Sequence, residues 1–399
     1  MRVVLTCLPF RSHLVPLLAP CAHALRRAGH RVAVACAAGM ADVVAECGLE
    51  HLPLPRVRTL DALLRDPAVS GSPGMPEHAE ATGSDRTTVE ARRAPGPLTR
   101  AFAGPLAGVL ADDLIGAAAR WQPDLVVREC NEFGGYLAAE RLGLPHAVLD
   151  IAPHSALNLP FVRGAVDEQR VRLGLDPVDD VRHSYRTLVA GVVPQEWYPP
   201  ELRTARTYRP VPVAGADRLP AEFADLPGDR PLVLAGFGTL APVLIPELAA
   251  VQGLLVEALG RVRCTAVVAL GSDPREWRGP RPGNVRLVER TPQRALLHRA
   301  DLFVSHGGFG GVFESLLTGT PVVALPLFSD QPDNARRTAE LGLGAEVDLG
   351  TTSPAALARV CAEVLGDRAV RDRVERMSRS LRAAPDLDAL AADLVAHAR

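Results

Sequence analysis

The sequence predicts an α/β protein made of two parallel-sheet halves in series. Short apolar strand runs alternate with helical periodicity, and that order lays strands parallel with helices on both faces. A Pro-rich stretch at residues 198–230 interrupts the alternation and reads as the connection between the halves. At 399 residues the chain is also long for one core, so two domains are expected.

In the first half, strands are expected at residues 3–8, 31–36 and 49–53, with helices at 17–28 and 41–46 between them. Gly29 and Gly48 stop those helices. Residues 55–97 lose all periodicity. Order resumes with a helix at 98–121, a strand at 124–127, a helix at 133–142 and a strand at 146–149, and residues 152–164 are again irregular. In the second half, strands are expected at 232–235, 264–269, 285–288, 302–304, 322–324 and 345–347, with helices between them. From residue 352 the chain is helical, with a break at Pro385.

Composition narrows the function. With 47% apolar and 23% charged residues the chain is globular rather than disordered. A net charge of −2 argues against nucleic-acid or anionic-membrane binding through bulk charge. There is no lysine, which excludes Schiff-base chemistry and P-loop or kinase-type lysines; codon bias is the plain origin of that gap. The seven cysteines include no C-x-x-C pair, so buried free thiols in a reducing cytosol are expected and a zinc site is not. The apolar N-terminus is broken at Arg11, His13, Pro16 and Pro20, unlike an export signal. No run approaches the ~18 apolar residues of a membrane span. The expected location is the cytoplasm, without membrane insertion.

Ligands of parallel α/β sheets bind beyond the carboxyl ends of strands. Several such ends carry unusual residues. GFGTL offers close backbone approach at Gly238 and a hydroxyl at Thr239. SHGGFGGVFE runs from a strand through His306, Gly307, Gly308, Gly310 and Gly311 into a helix start near Phe309, which suits an anion. Glu314 follows one turn later and can reach ribose hydroxyls. PLFSDQPDN ends a strand in Asp330 and Gln331, an acceptor and donor pair fit for sugar hydroxyls, although Ser-Asp there is also an ordinary helix cap. In the first half, His13 lies in a loop before a helix, and a histidine suits a general base near neutral pH. RECNE places Glu129 and Glu132 at the same sheet edge, where a carboxylate can orient the ring.

These residues, in this order, resemble GT-B glycosyltransferases of the large family that contains plant secondary-metabolite and actinobacterial antibiotic (macrolide-type) enzymes. The motifs are Gly238-Thr239, the TPQ of Thr291, Pro292 and Gln293, HGGFGGVFE, and DQPDN; SHLVP, PDLVVRE and EFGGYLAAERLGLPHAV carry the likeness in the first half. The resemblance implies two Rossmann-like domains facing across a cleft: residues 1–205 for the acceptor, 206–380 for the nucleotide-sugar, and a helix at 381–399 returning to the first domain. It implies that Thr239, His306 and the glycine turn hold a diphosphate. Arg290, Thr291, Pro292 and Gln293 would meet the nucleobase, Glu314 the ribose, and Asp330 with Gln331 the sugar. His13 would be the base with Glu129 as partner.

Three departures stand out. Gly311 replaces the usual Ser or Thr, Ser12 replaces the glycine before the histidine, and Glu129 replaces an aspartate. The expected reaction is an inverting single displacement without metal or cofactor, from a dTDP- or UDP-sugar to a small hydrophobic acceptor. Residues 55–97 and 152–161 would wall the acceptor. The D-x-D of Asp386 and Asp388 reads as surface charge on the C-terminal helix. A nucleotide-sugar epimerase and a non-catalytic nucleotide-sugar-binding partner protein share the same layout. The sugar, the base, the attachment atom and the oligomeric state, a homodimer included, stay open at this level.

Overall fold

The computed structural model describes residues 1–59, 62, 102–153, 160–178, 180–198, 206–210, 219–239, 241–245 and 247–399. Most of the two segments expected to wall an acceptor falls outside these residues. The chain forms two compact units. One takes in the described residues up to 210 together with Ala383–Arg399; the other takes in those from 219 to 382.

The first unit carries a parallel sheet of seven strands among the described residues, ordered β3-β2-β1-β4-β5-β6-β7. They are β1 (Arg2–Thr6), β2 (Arg31–Ala37), β3 (Glu50–Leu54), β4 (Leu125–Glu129), β5 (His146–Asp150), β6 (Leu188–Gly191) and β7 (Arg206–Thr207). Strands covered on both faces need continuous apolar runs, and Val3, Val4, Leu5, Ala33, Val34 and Val127 are all fully buried. Among the described residues the second unit has six parallel strands: β8 (Leu232–Gly236), β9 (Thr265–Ala269), β10 (Val285–Val288), β11 (Leu302–Ser305), β12 (Val322–Ala324) and β13 (Gly344–Glu346), ordered β10-β9-β8-β11-β12-β13. All six lie within about one residue of the spans expected from their apolar runs. In both sheets the first strand stands beside the fourth, so the chain runs outward in one direction and then in the other. This creates a switch point at the carboxyl edge between β1 and β4, and again between β8 and β11.

Four local expectations change. His13 is not in a loop: helix begins at Arg11–His13, passes through a π-turn at Leu14–Leu18 and continues as Ala19–Arg27. The wide turn closes with the Ala19 N–H donating five residues back to the Leu14 carbonyl, which lets Pro16 sit inside a continuous helix. A helix at Pro160–Arg172 begins within the stretch expected to be irregular. The helix expected at 98–121 is described over Pro105–Trp121, with Pro105 in its first turn. Arg206–Thr207, expected to open the second half, instead extend the first sheet. Tyr208 N donates to Gly191 O at 2.7 Å, and Thr207 Oγ1 to Val193 O at 2.7 Å.

The last helix, Leu387–His397, buries Leu387, Leu390, Ala391 and Leu394 and packs on the helix Ala19–Arg27. Asp386 caps it, accepting from Asp388 N at 3.1 Å and Ala389 N at 3.0 Å, while Asp388 pairs with Arg27 at 2.5 Å. Both carboxylates of the D-x-D are thus engaged in a cap and an ion pair. The seven cysteines are all free, six of them buried. Among the described residues no helix is long and apolar enough to cross a membrane.

Candidate active site

At the first switch point, β1 runs through Leu8 and Phe10 into the helix that carries His13. The His13 N–H donates to Phe10 O at 3.1 Å, which fixes the turn, and the two rings lie 4.8 Å apart. Glu129 is the last residue of β4. Its Oε1 lies 2.9 Å from His13 Nδ1, so the ring N–H donates to a carboxylate that is itself 0% exposed. Asn131 N donates to the other oxygen, Oε2, at 2.8 Å, and Leu8 N to Oε1 at 3.4 Å. Burial works against the charge of Glu129. The opposing pull of His13, its hydrogen bond and the two amides prevails, and the carboxyl is held below its ordinary range. With Nδ1–H committed to Glu129, the outer ring nitrogen of a neutral His13 is an acceptor, the arrangement a general base requires.

Glu132, also fully buried, is a different kind of group. Its Oε2 accepts from Thr6 Oγ1 at 2.5 Å, and Gly135 N donates to both of its oxygens. Burial, the largest influence, lifts its carboxyl to about 7. It therefore lies beside the site as a carboxyl with a raised pKa rather than as a second partner for His13. Together with Leu8, Pro9, Val57, Phe102, Leu106 and other residues it lines a small, mainly apolar pocket.

At the second switch point, β8 ends in the tight turn of Gly238 (φ +69°), and Thr239 is exposed. β11 ends at Ser305, and His306 follows. A Cβ on Gly238 would lie 2.8 Å from His306 Cε1, and one on Gly308 2.5 Å from His306 Nε2. Both glycines are therefore required for the ring to lie where it does. Gly307 (φ +79°) turns the chain, its N–H donating to Ser305 Oγ at 3.1 Å. Gly308 then opens the helix Phe309–Thr318 with no side-chain cap, and the space around Gly310 is clear. The first-turn amides and the positive helix end suit an anion. Burial drives His306 down to about 4, the Gly236 carbonyl pulling weakly the other way. At neutral pH it offers a hydrogen bond and no charge.

The remaining residues line the same sheet edge. Arg290 follows β10 with its side chain 88% exposed. Thr291 and Pro292 lead into the helix Gln293–Leu297, and Gln293 Nε2 donates to Glu314 Oε2 at 2.8 Å. A Cβ on Gly311 would lie 3.7 Å from that same Nε2. Beyond β12, Asp330 precedes the helix Gln331–Glu340 and accepts from Asn334 Nδ2 at 2.8 Å. Gln331 is less available than its place in the sequence implied. It is 3% exposed, and its Oε1 accepts from Leu327 N at 2.9 Å and Phe328 N at 3.0 Å. Its carbonyl end builds the loop that presents Asp330. Asn334, which sequence reasoning missed, also donates to Gly307 O at 3.0 Å and ties this loop to the glycine turn. Among the described residues no group of three or more His, Cys, Asp or Glu side chains could hold a metal ion.

The chain matches both parts of the family described as erythromycin biosynthesis protein CIII-like: the N-terminal domain over residues 23–206 and the C-terminal domain over residues 253–397. Tylactone mycaminosyltransferase of Streptomyces fradiae is 29% identical over 372 residues, covering 87% of this chain and 81% of that one. The 10-deoxymethynolide desosaminyltransferase of Streptomyces venezuelae is 29% identical over 408 residues, covering 94% and 92%. Among solved structures, the Streptomyces sp. SF2575 glycosyltransferase SsfS6 complexed with thymidine diphosphate aligns over 99% of both chains, with a TM-score of 0.71 and 25% identity. With both family domains matched and the two doubly wound sheets in place, the chain belongs to the erythromycin biosynthesis protein CIII-like family and is a glycosyltransferase of the two-domain α/β GT-B fold.

Proposed function

We propose that this glycosyltransferase moves a deoxysugar from a thymidine or uridine diphosphate donor to a small hydrophobic natural-product aglycone, by inverting single displacement. One observation carries the chemistry: the buried Glu129 carboxylate 2.9 Å from His13 Nδ1 at a switch point. The relatives named for transfer to tylactone and 10-deoxymethynolide support an aglycone acceptor, and the thymidine diphosphate complex of SsfS6 supports a thymidine donor.

In this scheme the outer nitrogen of His13 takes the acceptor O–H proton. The oxygen attacks the anomeric carbon on the face opposite the diphosphate, and the C–O bond to the diphosphate breaks. Glu129 stabilises the imidazolium that forms. Thr239, neutral His306 and the amides at Gly308, Gly310 and Gly311 take up the charge developing on the leaving diphosphate. Arg290 stacks on the base, with Thr291, Pro292 and Gln293 around it; Glu314 binds the ribose, and Asp330, backed by Gln331, the sugar. No step uses a metal ion.

Thermal unfolding with thymidine diphosphate and with uridine diphosphate tests the donor. A nucleotide at 100 times its dissociation constant adds about 2.7 kcal/mol of stability. The thymidine form is expected to raise the midpoint more. Product formation from dTDP-sugar and tylactone, followed by mass spectrometry, is expected to persist in EDTA. If neither nucleotide raises the midpoint, the proposal is lost.

A further inference from the structure

Arg128 heads the largest fully buried side chains. It is the penultimate residue of β4, so its side chain leaves the sheet on the face opposite Glu129. A buried guanidinium ordinarily signals a carboxylate partner bonded to it. Here Nη1 donates to three backbone carbonyls at the strand's end and in the loop that follows: Glu129 O at 3.4 Å, Cys130 O at 3.2 Å and Glu132 O at 3.1 Å. Nη2 donates to Ser184 O at 2.8 Å. Nε has no hydrogen-bond partner among the described residues. The group is thus aimed at the loop rather than placed to satisfy all its own donors. Three rings fix its plane, with the guanidinium carbon 4.8 Å from the centroid of Tyr185, 5.6 Å from Phe133 and 5.9 Å from Tyr136. Tyr185 also donates its hydroxyl to Cys130 O at 2.5 Å, so the loop is gripped twice.

The gripped loop is the one that holds Glu129. Asn131 N donates to Glu129 Oε2, and Glu132 N to Glu129 O at 3.2 Å. If the carbonyls of residues 130 and 132 shift, the Asn131 amide shifts with them, and so does the carboxylate. We propose that Arg128 is a positioning residue for the transfer reaction, clamping the loop of residues 129–132 so that Glu129 stays within hydrogen-bond reach of His13. The inference deepens the proposed function and rests on His13 as the base.

The test is acceptor-independent. In the full chain carrying ¹⁵N-labelled histidine, a ring N–H donated to a buried carboxylate gives a far-downfield proton resonance, assigned to His13 by its loss in His13→Ala. Arg128→Lys keeps a buried positive charge but replaces the planar fork with a point donor unable to span four carbonyls. It is expected to lose or displace the resonance while thermal unfolding remains cooperative. Tyr185→Phe, which removes the hydroxyl's grip on Cys130 O, is expected to displace it less. A purely structural role lowers the melting midpoint and leaves the resonance where it was, and that result in folded Arg128→Lys overturns the proposal. Should Arg128→Lys fail to fold, an unmoved resonance in Tyr185→Phe overturns it instead. The base assignment fails separately, if His13→Ala turns over dTDP-sugar and tylactone undiminished.

Discussion

Two histidines stand beyond the carboxyl edges at the two switch points, His13 after the first strand of its sheet and His306 after the fourth strand of the other, and their surroundings are opposite. His13 has a buried carboxylate on one nitrogen and a side chain 21% exposed. His306 is wrapped by Gly238 and Gly308, and burial holds it neutral down to about 4. In the function proposed above, the same ring accepts a proton in one place and donates a hydrogen bond without charge in the other. Neighbours, rather than residue type, set the chemistry.

The contrast breaks most sharply on rate against binding. His13→Ala is expected to lower kcat by about 10³-fold, the scale of general-base removal, with thymidine diphosphate affinity unchanged. His306→Ala is expected to weaken that affinity more than it slows turnover. Single-turnover kinetics and calorimetric titration separate the two, and identical effects of both substitutions would end the comparison. A smaller effect tests the glycine cradle. Gly308→Ala sets a Cβ 2.5 Å from His306 Nε2, and about a tenfold loss of nucleotide affinity is expected, near 1.4 kcal/mol. Gly253→Ala, at a helical position outside the glycine turn with no atom within 4 Å of its Cβ, is the matched control and should bind normally.

The smallest effect is on stability against pH. Unfolded, a histidine titrates near 6.5, whereas in the fold His306 is lowered to about 4 and His146, by burial, to about 3. Their contribution is complete above pH 6.5 and is lost as pH falls through the folded values. Glu132 has the opposite sense. Raised from 4.5 to about 7, it favours the fold fully below 4.5, and that contribution is lost as pH rises through 7. Melting midpoints should therefore decline less on acidification in His306→Asn, and less on the alkaline side in Glu132→Gln. Unchanged slopes in both would mean these groups are solvated in solution.

The second sheet was more legible in the sequence than the first, for a physical reason. Its four central strands, β8, β9, β11 and β12, are buried and read as largely apolar runs, whereas the edge strands β10 and β13 are only half-buried. β6 and β7 escaped because they are short and lie toward the sheet edge, Arg206–Thr207 offering only two polar residues. The helix start at Arg11 was hidden by Pro16, which reads as a stop unless a π-turn absorbs it. The residues of the glycine turn were legible because positive φ and close approach require glycine. The Gln293–Glu314 bond was not, since 21 residues separate the pair and only the fold brings them together. Gln331 and Asn334 show the same limit from the other side. Both are polar residues in a recognisable motif, and their hydrogen bonds to backbone could be assigned only from coordinates.

The helix Leu387–His397 completes a unit whose first strand begins at Arg2. During synthesis, the sheet of that unit therefore emerges without the surface that covers the helix Ala19–Arg27, and keeps it bare while residues 28–386 are translated. Closure between positions as distant as Arg27 and Asp388 must wait for the end of that helix to leave the ribosome. Loss of the final helix would thus injure the portion of the molecule made first, leaving the portion made just before it the better able to stand alone.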